Sequence, residues 1–153
     1  MEQPTPEPIL ETALGFMAAK FLFVAEEIGL FEALADAPGD LGQVAQRISV
    51  TARTSRMVAD AMVSLGLLEK QDGIYSNGAS AAAFLSGRPD TGLRPALRFL
   101  NRISYRHWTE LEDAIRAGRR PSKWGQMSEV EQRIVSEGIA ALTARGSRGG
   151  GRL

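Results

Sequence analysis

The chain has 153 residues, with 18 Lys and Arg balancing 18 Asp and Glu to a formal net charge of +0. Balanced charge gives no general attraction to a polyanion or an anionic membrane. Cysteine is absent, which excludes disulfides and thiolate chemistry, and a single histidine leaves too few ligands for an all-protein zinc site.

At this size one ordinary domain is expected. The N-terminus has no basic segment ahead of an apolar core, so a secretion signal is not expected. Lys20 interrupts the richest apolar stretch and Glu26-Glu27 ends it, so no run of membrane-spanning length is expected, and a cytoplasmic location follows as the default.

Residues 1–8, MEQPTPEP, carry three prolines and read as a disordered tail. A helix is expected from about Ile9 to about Leu34. Its consecutive Phe21, Leu22, Phe23 and Val24 cover every side, and a helix apolar all round has to be buried all round. A second copy of the protein is one way to cover the outer flank; a central position in a monomeric core is the other.

After the loop Ala35-Asp36-Ala37-Pro38-Gly39-Asp40, Asp40 or Gly39 can cap a short helix carrying Val44, Ala45 and Ile48. Ser49-Val50-Thr51 suits a turn and a second cap. The next helix places Met57, Val58, Ala61, Met62 and Leu65 at helical spacing, and Gly66 suits its C-terminus. Leu67-Leu68-Glu69-Lys70 and Gly73-Ile74-Tyr75 can then pair across Gln71-Asp72-Gly73, because Asp-Gly is a strong hairpin signal.

Two short helices and a hairpin make a winged helix. Between residues 40 and 76, Arg47, Arg53, Arg56 and Lys70 meet Asp40, Asp60, Glu69 and Asp72, four against four. A duplex reader needs several cations on one face. The shape is that of a DNA-binding motif; the charge is not.

A short helix is expected at Ala81-Ala82-Ala83-Phe84-Leu85, and a longer one from Pro95 to about Ala117. The latter carries an apolar seam of Leu97, Leu100, Ser104, Trp108, Leu111 and Ile115. Arg94, Arg98, Arg102 and Arg106 form a strip beside it, either facing an anion or solvated. His107, the only histidine, has no catalytic constellation in the sequence, so a structural or pocket-lining role competes with a general base. The basic loop around Trp124 reads as a pocket lip or as a plain connection. Ser128-Glu129-Val130-Glu131 has capping-box spacing for a last helix to about Ala144. Residues 145–153 read as a flexible Arg/Gly tail, since no strand or helix flanks its glycines as a phosphate loop requires.

The order of these pieces resembles a known family. Gly15-Phe-Met-Ala-Ala-Lys-Phe, Glu27-Ile-Gly-Leu-Phe31-Glu-Ala-Leu34, Ser64-Leu-Gly-Leu-Leu-Glu-Lys70, Gly73-Ile-Tyr75-Ser-Asn and Trp108-Thr-Glu-Leu111 look like the N-terminal dimerisation domain of S-adenosylmethionine-dependent small-molecule O-methyltransferases. The resemblance covers about residues 9–144. It implies a mainly α fold: a winged-helix module with a small β-hairpin, flanked by a long apolar dimerisation helix and by C-terminal helices. The expected domain is 9–118, with 119–144 connecting towards a catalytic domain.

It also implies a homodimer, or pairing with a full-length relative, through Phe16, Met17, Phe21, Val24 and Phe31. His107, Trp108 and Trp124 are the implied lining of the acceptor pocket. The family's chemistry resides in a Rossmann-like domain with an Asp-x-Gly-x-Gly loop, an acidic residue for the ribose and a histidine base, and none of these is found here. No methyl transfer and no S-adenosylmethionine binding are therefore expected from this chain alone, and a small-molecule acceptor only with a catalytic domain. A frame-shifted or truncated gene product and a stand-alone adaptor both fit this reading. The alternative is a small winged-helix DNA-binding transcriptional regulator, in which the helix at 54–65 reads DNA.

Overall fold

The computed structural model describes residues 4–87, 92–118 and 127–146. It separates into two compact units, Met1–Ser86 and Gly87–Leu153. The last helix packs on the helices that follow Gly87 and lies in the same unit as they do.

The first unit runs α1 (Glu7–Glu27), α2 (Leu30–Ala33), β1 (Gly39–Asp40), α3 (Leu41–Arg47), α4 (Ala52–Ser64), β2 (Leu68–Gln71), β3 (Ile74–Asn77) and α5 (Ala79–Phe84). α1 begins inside the stretch read as a tail, because Pro8 sits in the first turn, where its missing N–H is no loss. The single helix expected to Leu34 is broken after Ile28. Gly29 takes φ 74°, a left-handed conformation that stops α1 and turns the chain into α2.

α1 also corrects the reading of membrane-spanning runs. Lys20 does not shorten it enough: by length and composition alone it could cross a membrane, with a mean hydropathy of 1.5.

The winged helix forms with its caps in place. Asp40 Oδ1 accepts from the Gln43 N–H at 2.9 Å, and Gln43 Oε1 accepts from the Asp40 N–H at 2.9 Å, a full capping box on α3. Thr51 caps α4 by accepting from the Thr54 N–H at 3.3 Å. β2 and β3 pair antiparallel with Gln71 opposite Ile74, and the two-residue turn between them has Asp72 at φ 50° and Gly73 at φ 81°. The sequence showed only this hairpin. The structure adds β1, two residues long, on the other side of β3, giving the order β1-β3-β2.

Leu30, Phe31, Val44, Met62, Leu68 and Tyr75 make the core of this unit, each at most 2% exposed. The inward face of α4 is Ser55, Val58, Ala59 and Met62; Met57 and Leu65, expected on the inner stripe, point outward. The small side chains at 55 and 59 carry the close packing that the sequence stripe assigned to larger ones.

Polar ties fix the hairpin to the helices. Tyr75 Oη donates to Asp60 Oδ1 at 2.7 Å, and Lys70 Nζ reaches the same oxygen at 3.0 Å while lying over the Tyr75 ring. Asn77 Nδ2 donates to the Phe31 carbonyl at 2.8 Å. Arg47 closes the loop after α2 by donating to the carbonyls of Ala33 and Ala37 at 3.0 and 2.8 Å.

The second unit runs α6 (Arg94–Phe99), a π turn (Leu100–Ser104), α7 (Tyr105–Trp108), α8 (Leu111–Arg116) and α9 (Glu129–Gly146). The expected capping box opens α9: the Glu131 N–H donates to Ser128 Oγ at 3.3 Å, and Glu131 Oε2 accepts from the Ser128 N–H at 2.9 Å. The one long helix expected to Ala117 is instead in pieces, widened by the π turn and interrupted at Thr109-Glu110. Phe99, Ile103 and Ile134 form the core, with Leu100, Met127 and Val135 against it. α9 crosses α6 at Gly138, where a Cβ would overlap the Phe99 side chain.

Tyr75→Phe should lower the stability of the first unit by about 1.5 kcal/mol, the low end for a bond to a charged acceptor because Asp60 still reaches water. The hydrogen bonds from Tyr75 and then Lys70 hold the Asp60 carboxyl below its ordinary 3.8. A lowered folded pKa means that its contribution is complete above 3.8 and is lost as pH falls through the lower value. Urea unfolding followed from about pH 6 to about pH 2.5 should therefore fall less steeply at the acid end in Asp60→Asn than in the wild type. Gly138→Ala should destabilise the second unit by roughly 1–3 kcal/mol through overpacking against Phe99, read as a lowered melting transition.

Candidate dimerisation surface

α1 is the exposed apolar element of the first unit. Its buried residues, Phe23, Ala25 and Glu26, all lie in the last two turns, where it meets α4. Residues 4–17 are exposed throughout. Seen down the axis, the apolar side chains sort into seams. Leu10, Leu14, Met17, Phe21 and Val24 follow one another at intervals of four, three, four and three. This is the spacing that keeps one line of side chains facing a partner helix. Ile9, Phe16 and Phe23, seven apart, lie on another side.

Phe16, Met17 and Val24 are 56%, 47% and 37% exposed, and Phe21 is half-buried. Phe31, placed with them from the sequence, is 1% exposed and turned into the core of its own unit. Leu10 and Leu14, exposed on the same seam, were not picked out from the sequence; the four-three spacing is the signal that finds them.

The first half of α1 is poorly supported by its own chain. Pro6 supplies no side-chain cap, and Gly15 has no atom within 4 Å of where a Cβ would stand. Helices shorter than about 12–15 residues are marginal in water without packing. Each large apolar side chain moved from water into an interface contributes about 1.5–3 kcal/mol when fully covered. The seam is a line of exposed apolar side chains at the spacing of a helix-pairing face.

The cations of the winged helix are arranged against duplex binding. Lys70 is held by Asp60, and Arg47 by two carbonyls. Arg53 and Arg56 remain on the outer face of α4, while Glu69 and Asp72 stand exposed on the wing. Two exposed arginines beside two carboxylates make a weak phosphate-neutralising surface.

In the second unit the ring of His107, through Nδ1, donates to the Ile103 carbonyl at 2.8 Å, within the π turn, and the ring is half-buried. Trp108 is 67% exposed. Trp124 lies outside the described residues, so its place beside them is not defined. Arg98, Arg102 and Arg106 are exposed, on a segment widened by the π turn at 100–104. Arg106 lies near enough to Glu131 to help hold that carboxylate below its usual range, after the two hydrogen bonds from Ser128.

An open depression between the α1–α2 junction and α3 is lined by Ile28, Gly29, Glu32, Ala33, Asp36, Ala37 and Arg47. It contains no nucleophile paired with a base. Among the described residues no cluster of three or more His, Asp or Glu could hold a metal ion.

Residues 10–87 match the family model described as the O-methyltransferase dimerisation domain. Human acetylserotonin O-methyltransferase is 36% identical over 113 residues, 70% of this chain and 33% of that protein. The 3-hydroxy-5-methyl-1-naphthoate 3-O-methyltransferase of Streptomyces sahachiroi is 35% identical over 112 residues, 72% of this chain and 32% of that protein. The crystal structure of human N-acetylserotonin methyltransferase in complex with SAM superposes with a TM-score of 0.83 at 28% identity, over 96% of this chain and 48% of that one. The chain spans about a third of the length of the curated relatives it matches.

Proposed function

Because this chain belongs to the O-methyltransferase dimerisation-domain family, we propose that it is the pairing module of an S-adenosylmethionine-dependent small-molecule O-methyltransferase, and that a second copy or a full-length relative covers the outer seam of α1. The observation that carries this reading is the exposure of residues 4–17 together with the four-three spacing of Leu10, Leu14, Met17, Phe21 and Val24. A helix face of that length and composition is unstable in water and complete in an interface.

The residues described here have a structural part in the chemistry. Methyl transfer needs a donor-binding fold and a base, and these belong to a catalytic domain, so S-adenosylmethionine enters only where such a domain is present. His107 and Trp108, with Trp124, are the side chains proposed to face the acceptor. The bond from Nδ1 to the Ile103 carbonyl fixes the orientation of the His107 ring on its helix. The cytoplasm is the proposed compartment.

Light scattering after gel filtration tests the pairing. The wild-type chain should run as a dimer at micromolar concentration. Leu14→Glu/Met17→Glu should weaken association by about a hundredfold or more, since two large apolar contacts are lost, and should run as monomer with its far-ultraviolet spectrum largely retained. An unchanged mass for the double variant rules out the seam. A wild-type monomer that sediments with lipid vesicles would assign α1 to a membrane instead, in keeping with its length and hydropathy.

A further inference from the structure

The balanced charge of the whole chain conceals a local excess. From residue 87 onward, thirteen Lys and Arg stand against seven Asp and Glu. Between 91 and 109 there are four arginines and no carboxylate. They are Arg94, Arg98, Arg102 and Arg106, at steps of four along α6, the π turn and α7. The last three are exposed. Glu131, the carboxylate whose charge Arg106 favours, already accepts two hydrogen bonds from Ser128.

The π turn is what keeps these arginines in line. In an α-helix four residues make slightly more than one turn, so a row at that spacing winds away by about 40° per step. In a π turn four residues fall short of a full turn. The turn at Leu100–Ser104 lies between Arg98 and Arg106 and offsets the drift. Arg98, Arg102 and Arg106 thus stand one above another, about 6 Å apart along the axis. Phe99 and Ile103, each one residue further on, are buried with Ile134 of α9, which sets the row along the side of that contact. Like charges so placed repel one another, and a line of carboxylates facing them removes that cost.

We propose that this row is a docking surface for an acidic helix of another protein, one with three Asp or Glu at steps of four. Carboxylates so spaced on a partner helix are also about 6 Å apart, so each meets one arginine. The guanidinium fork takes a carboxylate through two parallel hydrogen bonds, which favours arginine over lysine in such a row. A nucleic acid fits less well. Three cations neutralise few phosphates, and Glu110, Glu112 and Asp113 stand exposed just beyond Arg106. Trp108, 67% exposed, comes two residues after Arg106 and so points to the other side of α7, where no base could stack beside the arginines. The surface belongs to the second unit and goes beyond the pairing function proposed for α1.

The test uses the full chain and two synthetic alanine-based peptides of identical composition. One carries three Glu at steps of four; the other carries them at steps of five, which scatters them around the helix. Amide NMR signals of the chain are followed as each peptide is added to millimolar concentration at low salt. Shifts centred on residues 94–106 are expected with the first peptide, at least fivefold smaller with the second, and lost by about 0.5 M salt. Equal shifts with both peptides, shifts centred elsewhere, or none at all overturn the proposal. So do larger shifts on the same residues with a short oligouridine, which would assign the row to nucleic acid.

Arg98→Glu/Arg106→Glu changes exposed side chains and is expected to keep the folded spectrum. It should lose the Glu peptide and gain the matching peptide with Lys in place of Glu. Failure of that exchange in the folded variant overturns the proposal. A change in the chain's own mass on the arginine reversal, read by light scattering, would assign the row to a contact between copies and overturns it as well.

Discussion

The organisation of the first unit depends on one imbalance: α1 carries more apolar surface than the described residues of its own unit cover. Its last two turns are satisfied within the chain by α4, through Phe23 and Ala25. Its first three turns carry the same kind of side chain with nothing against them. A core helix and an interface helix are therefore the same rod, and the change of role is set by where the rest of the unit ends along it. Hydrophobic burial has no direction of its own. What gives it direction here is the four-three spacing of the seam.

The winged helix behind that rod is built as a rigid support. In a nucleic-acid reader the wing and the second helix would present their cations outward. Here Lys70 turns back to Asp60, Tyr75 shares the same carboxylate oxygen, and Arg47 is held by the carbonyls of Ala33 and Ala37. These contacts join the hairpin to α4, and the loop after α2 to α3. They use the charge that a duplex would need and convert it into internal cross-bracing. The same fold thereby serves a protein surface in place of a phosphate one, as expected when function is carried by side chains placed on a scaffold and not by the scaffold itself.

Much of this could be read from the sequence, because local rules settle it. The caps at Asp40, Thr51 and Ser128 and the Asp72-Gly73 turn depend on residues within a few positions of one another, and all four form as read. The misreadings involve tertiary context or very small signals. The break at Gly29 was masked by the apolar run on both sides of it. β1 is two residues long and exists because β3 offers an edge. Met57 and Leu65 fit an inner stripe by spacing, yet the neighbouring small Ser55 and Ala59 give the closer approach and take that side. The π turn at 100–104 left no mark in composition. Within the interface set, Phe31 was assigned by type when only burial separates it from Phe16 and Met17.

Gly15 gives the free half of α1 a character of its own. A glycine inside a helix lowers its stability by about 1 kcal/mol relative to alanine, and here no tertiary contact makes up the difference. This stretch, helical from Glu7 onward, is accordingly the part of α1 with the least margin against fraying. Part of the association free energy is then consumed in ordering the helix, so the affinity is lower than the covered area alone would give. A surface laid along this stretch would stabilise the helix as well as cover its side chains, so helix stability and association are coupled.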